Sequence, residues 1–263
     1  MTTSVLGDRL RERRCRFGEL SLVISETDST NAYAAMLARK GAPHGSVVVA
    51  ERQTAGRGRW SRRWESGEGG LYLSVVLRSE EGRERDLPLL PFLASVAAAE
   101  ALERAASISV RLRWPNDLYV EGEKLGGVLC ESSFTGSRLD FAVIGIGINV
   151  NQRREDFPPE VRSRATSVRE VLGQTRDVLE VAAELVRALE SWWDGPRRAP
   201  VLERWRELAW GAEGSSVRVV SANGEVFEAT TDGIAPDGAL RVRLGDGAER
   251  VLYSGDVQLL DSR

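Results

Sequence analysis

Residues 52–64 read Arg-Gln-Thr-Ala-Gly-Arg-Gly-Arg-Trp-Ser-Arg-Arg-Trp, five arginines with two glycines, two tryptophans and no acid. Guanidinium forks match the oxygens of carboxylates and phosphates. Gly56 and Gly58 let a backbone turn sharply and approach a ligand closely. The chemistry this predicts is capture of an anion beneath a loop that folds over it. Further along, Trp114-Pro115-Asn116-Asp117 makes an abrupt polar stop, and Lys124 precedes Gly126-Gly127. A single histidine, His44, falls in a Gly/Pro turn and is expected to be exposed there. With Cys15 and Cys130 as the two cysteines, neither a zinc site nor a Ser-His-Asp triad can be assembled. The chemistry must fall to Lys, Arg, Asp and Asn.

The elements around these residues follow from periodicity. The β-branched residues 46–50 and the apolar residues 71–77 read as strands flanking the arginine segment, which places it on a loop between rigid supports. Residues 20–24 read as a short strand, and Asp28-Ser29-Thr30 caps a helix carrying Tyr33, Met36 and Leu37. Residues 9–14 and the alanine-rich residues 87–106 also read as helical. Residues 110–114, 118–120 and 125–131 read as strands. Residues 143–151 alternate, with Ile144, Ile146, Ile148 and Val150 on one face and Gly145, Gly147, Asn149 and Asn151 on the other. Two glycines on one face predict that something packs against the sheet there; a flat ligand beside two asparagine amides fits. Asp177 followed by Glu180 opens a helix with a core stripe at Val178, Val181, Leu185, Leu189 and Trp192, and a second helix covers residues 199–210. From residue 216 to 260, short alternating stretches broken by Asn223-Gly224, Pro236-Asp237-Gly238 and Gly245-Asp246-Gly247 predict a small β-barrel without evident chemistry of its own.

Composition sets the outer limits. With 42% hydrophobic residues the chain can bury a large core, and a formal net charge of −3 argues against a general nucleic-acid binder. The most apolar window is broken by Pro88, Pro91 and Glu100 and is too short to span a bilayer. Together with the sparse cysteines, this predicts a cytoplasmic protein with no membrane partner.

Taken in order, Asp-Ser-Thr-Asn (28–31), Gly-Arg-Gly-Arg-x-x-Arg-x-Trp (56–64), Trp-Pro-Asn-Asp (114–117), Lys124 with Gly126-Gly127, and Gly-Ile-Gly-Ile-Asn (145–149) resemble the biotin–protein ligases from about residue 20 onward. The resemblance implies an α+β fold. A mixed central sheet with helices on one side, related to class II aminoacyl-tRNA synthetases and lipoate ligases, would be followed by a small SH3-like barrel. The division would be a catalytic domain over residues 1–213 and the barrel over 214–263. The implied activity is ATP-dependent formation of biotinyl-5′-AMP and transfer of biotin to a lysine of a biotin carboxyl carrier protein, with Mg²⁺ assisting.

Carried over by position, Ser29, Thr30, Asn31 and Gln53 would hold the biotin head group, and Arg57, Gly58 and Arg59 would close over biotin and its adenylate. Lys124 would meet the carboxylate and α-phosphate. Asn116 and Asp117 would lie near Mg²⁺ and the attacking lysine, Asp117 as base or metal neighbour, with Asn116 also counted among the nucleotide contacts. Trp64, Asn149 and Asn151 would flank the nucleotide. The catalytic set is Arg57, Arg59, Lys124 and Asp117. Two departures from the family pattern stand out: Ser61 replaces a loop glycine, and Arg113 replaces a lysine. A homodimer is possible by analogy. Specific DNA binding is not expected, because few residues precede the core. A lipoate ligase and a non-catalytic vitamin- or nucleotide-binding module are the competing readings.

Overall fold

The structure is a computed structural model, described over residues 5–78, 84–195, 199–221 and 223–260; the side chain of Ser61 also lies outside the described residues. Seven strands form a mixed sheet: β1 (Ser21–Thr27), β2 (Val47–Gln53), β3 (Leu71–Arg78), β4 (Arg111–Arg113), β5 (Asp117–Val120), β6 (Glu123–Thr135) and β7 (Arg138–Ile148). Their order is β1-β2-β3-β7-β6-β5-β4. β1 and β2 are parallel and every other neighbouring pair is antiparallel. A parallel pair needs a crossover, and α2 (Thr30–Arg39) supplies it.

Alternation along the strands divides the helices between two faces. Leu71, Leu73, Val75 and Leu77 of β3 and Ile144, Ile146 and Ile148 of β7 join the larger core with α3 (Leu90–Ala106) and α6 (Val178–Asp194). α1 (Val5–Glu12) and α7 (Ala199–Leu208) complete that layer. Two short helices, α4 (Pro159–Arg162) and α5 (Val168–Leu172), lie in the connection from β7 to α6.

The expectation of helices on one side only is corrected by α2, which packs on the opposite face. There Ala34 and Ala38 meet Val48, Val76, Phe141 and Val143. The stripe that α2 buries is Thr30, Asn31, Ala34 and Ala38, while Tyr33, Met36 and Leu37 remain half-buried. Small side chains let the helix axis approach the strands closely, so its start reaches the middle of the sheet.

Charged residues tie α1 and the segment that follows it along α6. Arg9 bonds Asp177 at 2.6 Å and Glu180 at 3.0 Å, Arg13 bonds Glu180 and Glu184, and Arg16 reaches Glu190 and Asp194. Asp177 also accepts the backbone N–H groups of Leu179 and Glu180, which caps α6 as its sequence position predicts. His44 is half-buried instead of exposed. Its ring packs 5.1 Å from that of Phe17 and 5.4 Å from that of Trp193, and its Nδ1 accepts the Arg78 N–H. No helix among the described residues is long and apolar enough to cross a membrane.

The remaining strands, β8 (Glu213–Ser221), β9 (Val226–Ile234), β10 (Leu240–Arg243), β11 (Glu249–Leu252) and β12 (Gly255–Leu259), make an antiparallel sheet ordered β11-β10-β9-β8-β12. β12 returns across the sheet to pair with β8, which aims Gly255 and Asp256 back toward the larger sheet.

Candidate active site

A cavity of about 490 Å³ opens on the α2 face of the mixed sheet. One wall is the start of α2, the floor is β3, β6 and β7, and the arginine loop and β12 cover it. Ser29, Thr30, Asn31, Gln53, Arg57, Gly58, Arg59, Trp64, Asn116, Asp117, Lys124 and Asn149 all line it; Asn151 does not. Instead Asn151 lies beyond the end of β7 and clamps the chain entering α6. Its Nδ2 donates to the Arg176 carbonyl at 2.8 Å and its Oδ1 accepts the Arg176 N–H at 2.9 Å. Asn149 also falls beyond the strand end, and its Nδ2 donates to the Thr166 carbonyl at 2.9 Å.

The inner end of the cavity is a closed polar network. Gln53 Oε1 accepts from the Thr30 N–H at 2.8 Å and the Thr30 hydroxyl at 3.1 Å, while Nε2 donates to Ser66 Oγ at 2.8 Å. The hydroxyl of Ser74 lies 2.8 Å from Thr30 Oγ1 and 2.7 Å from Asn31 Oδ1. Asn31 Nδ2 then donates to the Leu129 carbonyl at 3.1 Å and to Glu131 at 2.7 Å. Thr30, Asn31, Ser66 and Ser74 are buried, so each bond replaces water that the site excludes. These bonds use one of the two protons of Gln53 Nε2. That leaves Gln53 and the Ser29 hydroxyl, which caps α2 through the Ala32 N–H at 3.5 Å, facing the cavity.

The glycine face of β7 receives the protein's own side chains. A Cβ at residue 145 would collide with the Asn31 amide, and one at residue 147 would stand 2.5 Å from Trp64 Nε1. A flat group does lie on the sheet at Gly147, as the alternation implies, but it is the Trp64 indole. Trp64 Nε1 is buried without a hydrogen-bond partner among the described residues. The expectation of a ligand lying directly on both glycines is therefore corrected.

The arginine segment forms a small hairpin. Arg57 and Arg63 are bridged, Gly58 N–H donates to the Arg62 carbonyl at 2.7 Å, and Trp64 N–H donates to the Gly56 carbonyl at 2.9 Å. Gly56 is fixed by this packing, since a Cβ there would press on the Trp64 carbonyl and Ser66. The left-handed residue described in the loop is Trp60 (φ 54°, ψ 43°), a conformation costing about 1–2 kcal/mol for a residue with a Cβ.

Each arginine has an acceptor. Arg57 lies 3.4 Å from Glu131, Arg59 donates to the Gly255 carbonyl at 3.1 Å and the Ser254 hydroxyl at 3.0 Å, and Arg62 pairs with Asp256 at 2.8 Å. The partners of Arg59 are neutral. Burial lowers its pKa, although Asp117 and Asp256 oppose that shift. Among the described residues Arg59 is thus a desolvated cation over the cavity whose hydrogen bonds go to neutral acceptors.

Opposite the loop, Lys124 Nζ lies 2.7 Å from Asp117 Oδ2 and 5.7 Å from the centre of the Trp64 ring. Lys124 is held by its own backbone, whose N–H donates to the Arg164 carbonyl at 2.8 Å and whose carbonyl accepts from the Thr166 N–H at 2.9 Å. Asn116 fixes the preceding turn, with Nδ2 donating to the Val128 carbonyl at 2.6 Å and its carbonyl accepting the Val128 N–H at 2.9 Å. Arg113 stacks 4.1 Å from the Tyr119 ring centre and 4.3 Å from that of Trp210, a planar fit that a lysine would not make. Burial pushes the Tyr119 hydroxyl up to about 12, so it serves Arg113 as a neutral acceptor at 3.0 Å.

Several lining or supporting residues were not expected from the sequence: Ser66, Ser74, Glu131, and Gly255 to Gln258. Ser74 carried a signal, as a small polar side chain in an otherwise apolar run. The β12 residues carried none, because nothing local says that the second sheet folds back over the first.

Comparison with known proteins agrees with this architecture. Residues 23–149 match the Biotin/lipoate A/B protein ligase family, and residues 214–260 match the Biotin protein ligase C terminal domain. The bifunctional ligase/repressor BirA of Bacillus subtilis is 35% identical over 262 residues, covering 95% of this chain and 79% of that protein. The biotin--[acetyl-CoA-carboxylase] ligase of Mycobacterium tuberculosis is 32% identical over 244 residues, covering 89% and 87% respectively. The biotin protein ligase of Aquifex aeolicus, solved in complex with biotin and ATP, superposes with a TM-score of 0.75 at 29% identity, covering 93% of this chain and 100% of that one. Fold and site thus define a ligase of the biotin/lipoate class. Within that class, the chain belongs to the biotin protein ligase family.

Proposed function

We propose that this protein activates biotin with ATP as biotinyl-5′-AMP and transfers the biotinyl group to a lysine of a carboxyl carrier protein. The observation that carries this reading is the convergence of Arg57, Arg59 and Lys124 on one cavity whose inner end is a satisfied polar network. In the first step the biotin carboxylate attacks the α-phosphorus and pyrophosphate leaves. Two anions must approach, so the catalytic demand is fixed positive charge, which Arg59 and Lys124 supply without proton transfer.

The head group sits against Ser29, Thr30, Asn31 and Gln53, with Gln53 and Ser29 as its donors. Trp64, Asn116 and Asn149 border the nucleotide. Lys124 exchanges its bond to Asp117 for the carboxylate and α-phosphate oxygens. In the second step Asp117, released from Lys124, orients the incoming lysine amine as it attacks the acyl carbon and AMP departs.

The residues present fit Mg²⁺. It is held typically by one or two carboxylates together with substrate phosphates, and Asp117 is a carboxylate within the cavity. When bound, Mg²⁺ supplies charge neutralisation at the phosphates.

The test is exchange of labelled pyrophosphate into ATP with biotin, with lipoate and with no acid. Exchange with biotin alone is expected. Exchange with lipoate alone would keep the mechanism and replace the substrate, and no exchange from folded protein with Mg²⁺ would overturn the reading.

A further inference from the structure

The expectation that the smaller sheet carries no chemistry does not account for β12. Gly255, Asp256, Val257 and Gln258 line the cavity, and three of the cover's closest contacts end on this turn and strand. Arg59 donates to Ser254 and Gly255, and Arg62 pairs with Asp256 at 2.8 Å. The hairpin between these arginines has its own backbone bonds, Gly58 N–H to the Arg62 carbonyl and Arg62 N–H to the Arg59 carbonyl. Holding Arg62 therefore holds Arg59. β12 is in turn fixed to β8 through a five-residue register, Gly255 to Leu259 against Ser221 to Val217.

From this geometry we infer that Asp256 is a positioning residue for the reaction proposed above: it latches the arginine hairpin over the cavity and keeps the bound adenylate from escaping. Arg62 carries the latch charge, which leaves Arg59 with neutral partners and free to meet the ligand's anion. The two arginines, one on each side of the hairpin tip, divide the work. Arg62 is anchored to a carboxylate, whereas Arg59 is held by neutral acceptors that a phosphate can displace. Because the anchor comes from the smaller sheet, the cover and that sheet act as one unit, and a ligand must break the Arg62–Asp256 pair to leave. The inference rests on the biotinyl-adenylate reading for the identity of the ligand, but the latch itself does not.

The experiment uses the full chain and two variants, Asp256→Arg and the reciprocal Asp256→Arg with Arg62→Asp. Ligand-free protein is exposed to a protease of broad specificity, and cleavage within the hairpin is mapped by mass spectrometry. Hairpin cleavage is expected to rise about two- to fivefold in Asp256→Arg, the scale of a partly exposed ion pair, and to fall back in the double variant with thermal melting unchanged. With ATP, biotin and Mg²⁺, the variants are compared for retention of the adenylate they form, and Asp256→Arg is the one expected to fall short. It should lose bound adenylate faster by a similar factor and label a bystander protein, with the double variant restoring retention.

Unchanged hairpin cleavage in Asp256→Arg, or no recovery in the double variant, would overturn the latch. A looser hairpin with unchanged adenylate retention would overturn its role in holding the intermediate. If cleavage follows the latch pattern but the unaltered protein exchanges no pyrophosphate, the latch stands and the ligase reading fails.

Discussion

Lys124 and Asp117 lie 2.7 Å apart on neighbouring strands, so each is the other's partner until a ligand intervenes. Lys124→Ala is therefore expected to slow adenylation sharply while leaving the fold intact. Losing a charge-assisted hydrogen bond of about 1.5–3 kcal/mol slows a step about ten- to a hundredfold. Pyrophosphate exchange at the unaltered rate would remove Lys124 from its role. Arg59→Gly is expected to form adenylate yet release it early, since the desolvated cation over the cavity would be gone. Biotin appearing on unrelated lysines is the readout, and unchanged acceptor selectivity would count against it. The residue types of this site were legible in the sequence, because Arg, Lys, Asp and capping hydroxyls advertise their chemistry. Their partners were not. Asn31 and Trp64 fill the two glycine positions of β7, and Glu131 and Asp256 neutralise arginines from distant parts of the chain.

Among the elements, β7 shows how strand alternation can be right about space and wrong about its occupant. Gly145 and Gly147 do mark places where something must approach the backbone, but α2 and the arginine loop supply it. Gly147→Val is accordingly expected to displace the Trp64 ring and lower stability by about 1–3 kcal/mol, the ordinary cost of overpacking. Gly67→Ala meets open space and serves as the control. Thermal melts of the two variants decide this; equal melting temperatures would mean that Trp64 moves aside freely. Periodicity also located most strands and helices, yet the apolar residues it picked out on α2, Tyr33, Met36 and Leu37, are only half-buried. The buried face of that helix is made of Thr, Asn and Ala, so a reading that seeks large apolar residues passes over it.

For the whole molecule, α1 is joined to α6 by a ladder of ion pairs with a definite pH signature. Burial alone would raise Asp177 and Glu184. Hydrogen bonds and charge from Arg9 to Asp177, and from Arg187 and Arg13 to Glu184, outweigh it and hold both carboxyls below their ordinary values. A carboxyl depressed in the folded state stabilises above its unfolded pKa, about 3.9 for Asp and 4.3 for Glu. That contribution is lost as pH falls through the lower folded values. Melting temperature is therefore expected to drop steeply below about pH 4, and Asp177→Asn with Glu184→Gln should flatten the acid limb. An unchanged limb in the double variant would assign acid unfolding to other groups. Contacts across more than 160 residues of sequence, such as Arg9 with Asp177, leave no local pattern to read.

The seating of Trp64 also gives the molecule an optical reporter. Of its seven tryptophans, Trp60 and Trp64 line the cavity, one at the exposed hairpin tip beneath two guanidinium groups and the other pressed on the sheet. Ligand entry changes the polarity around the buried indole, and hairpin movement changes the cations around the exposed one. Comparing stopped-flow emission traces of Trp60→Phe and Trp64→Phe variants would separate filling of the site from motion of its cover.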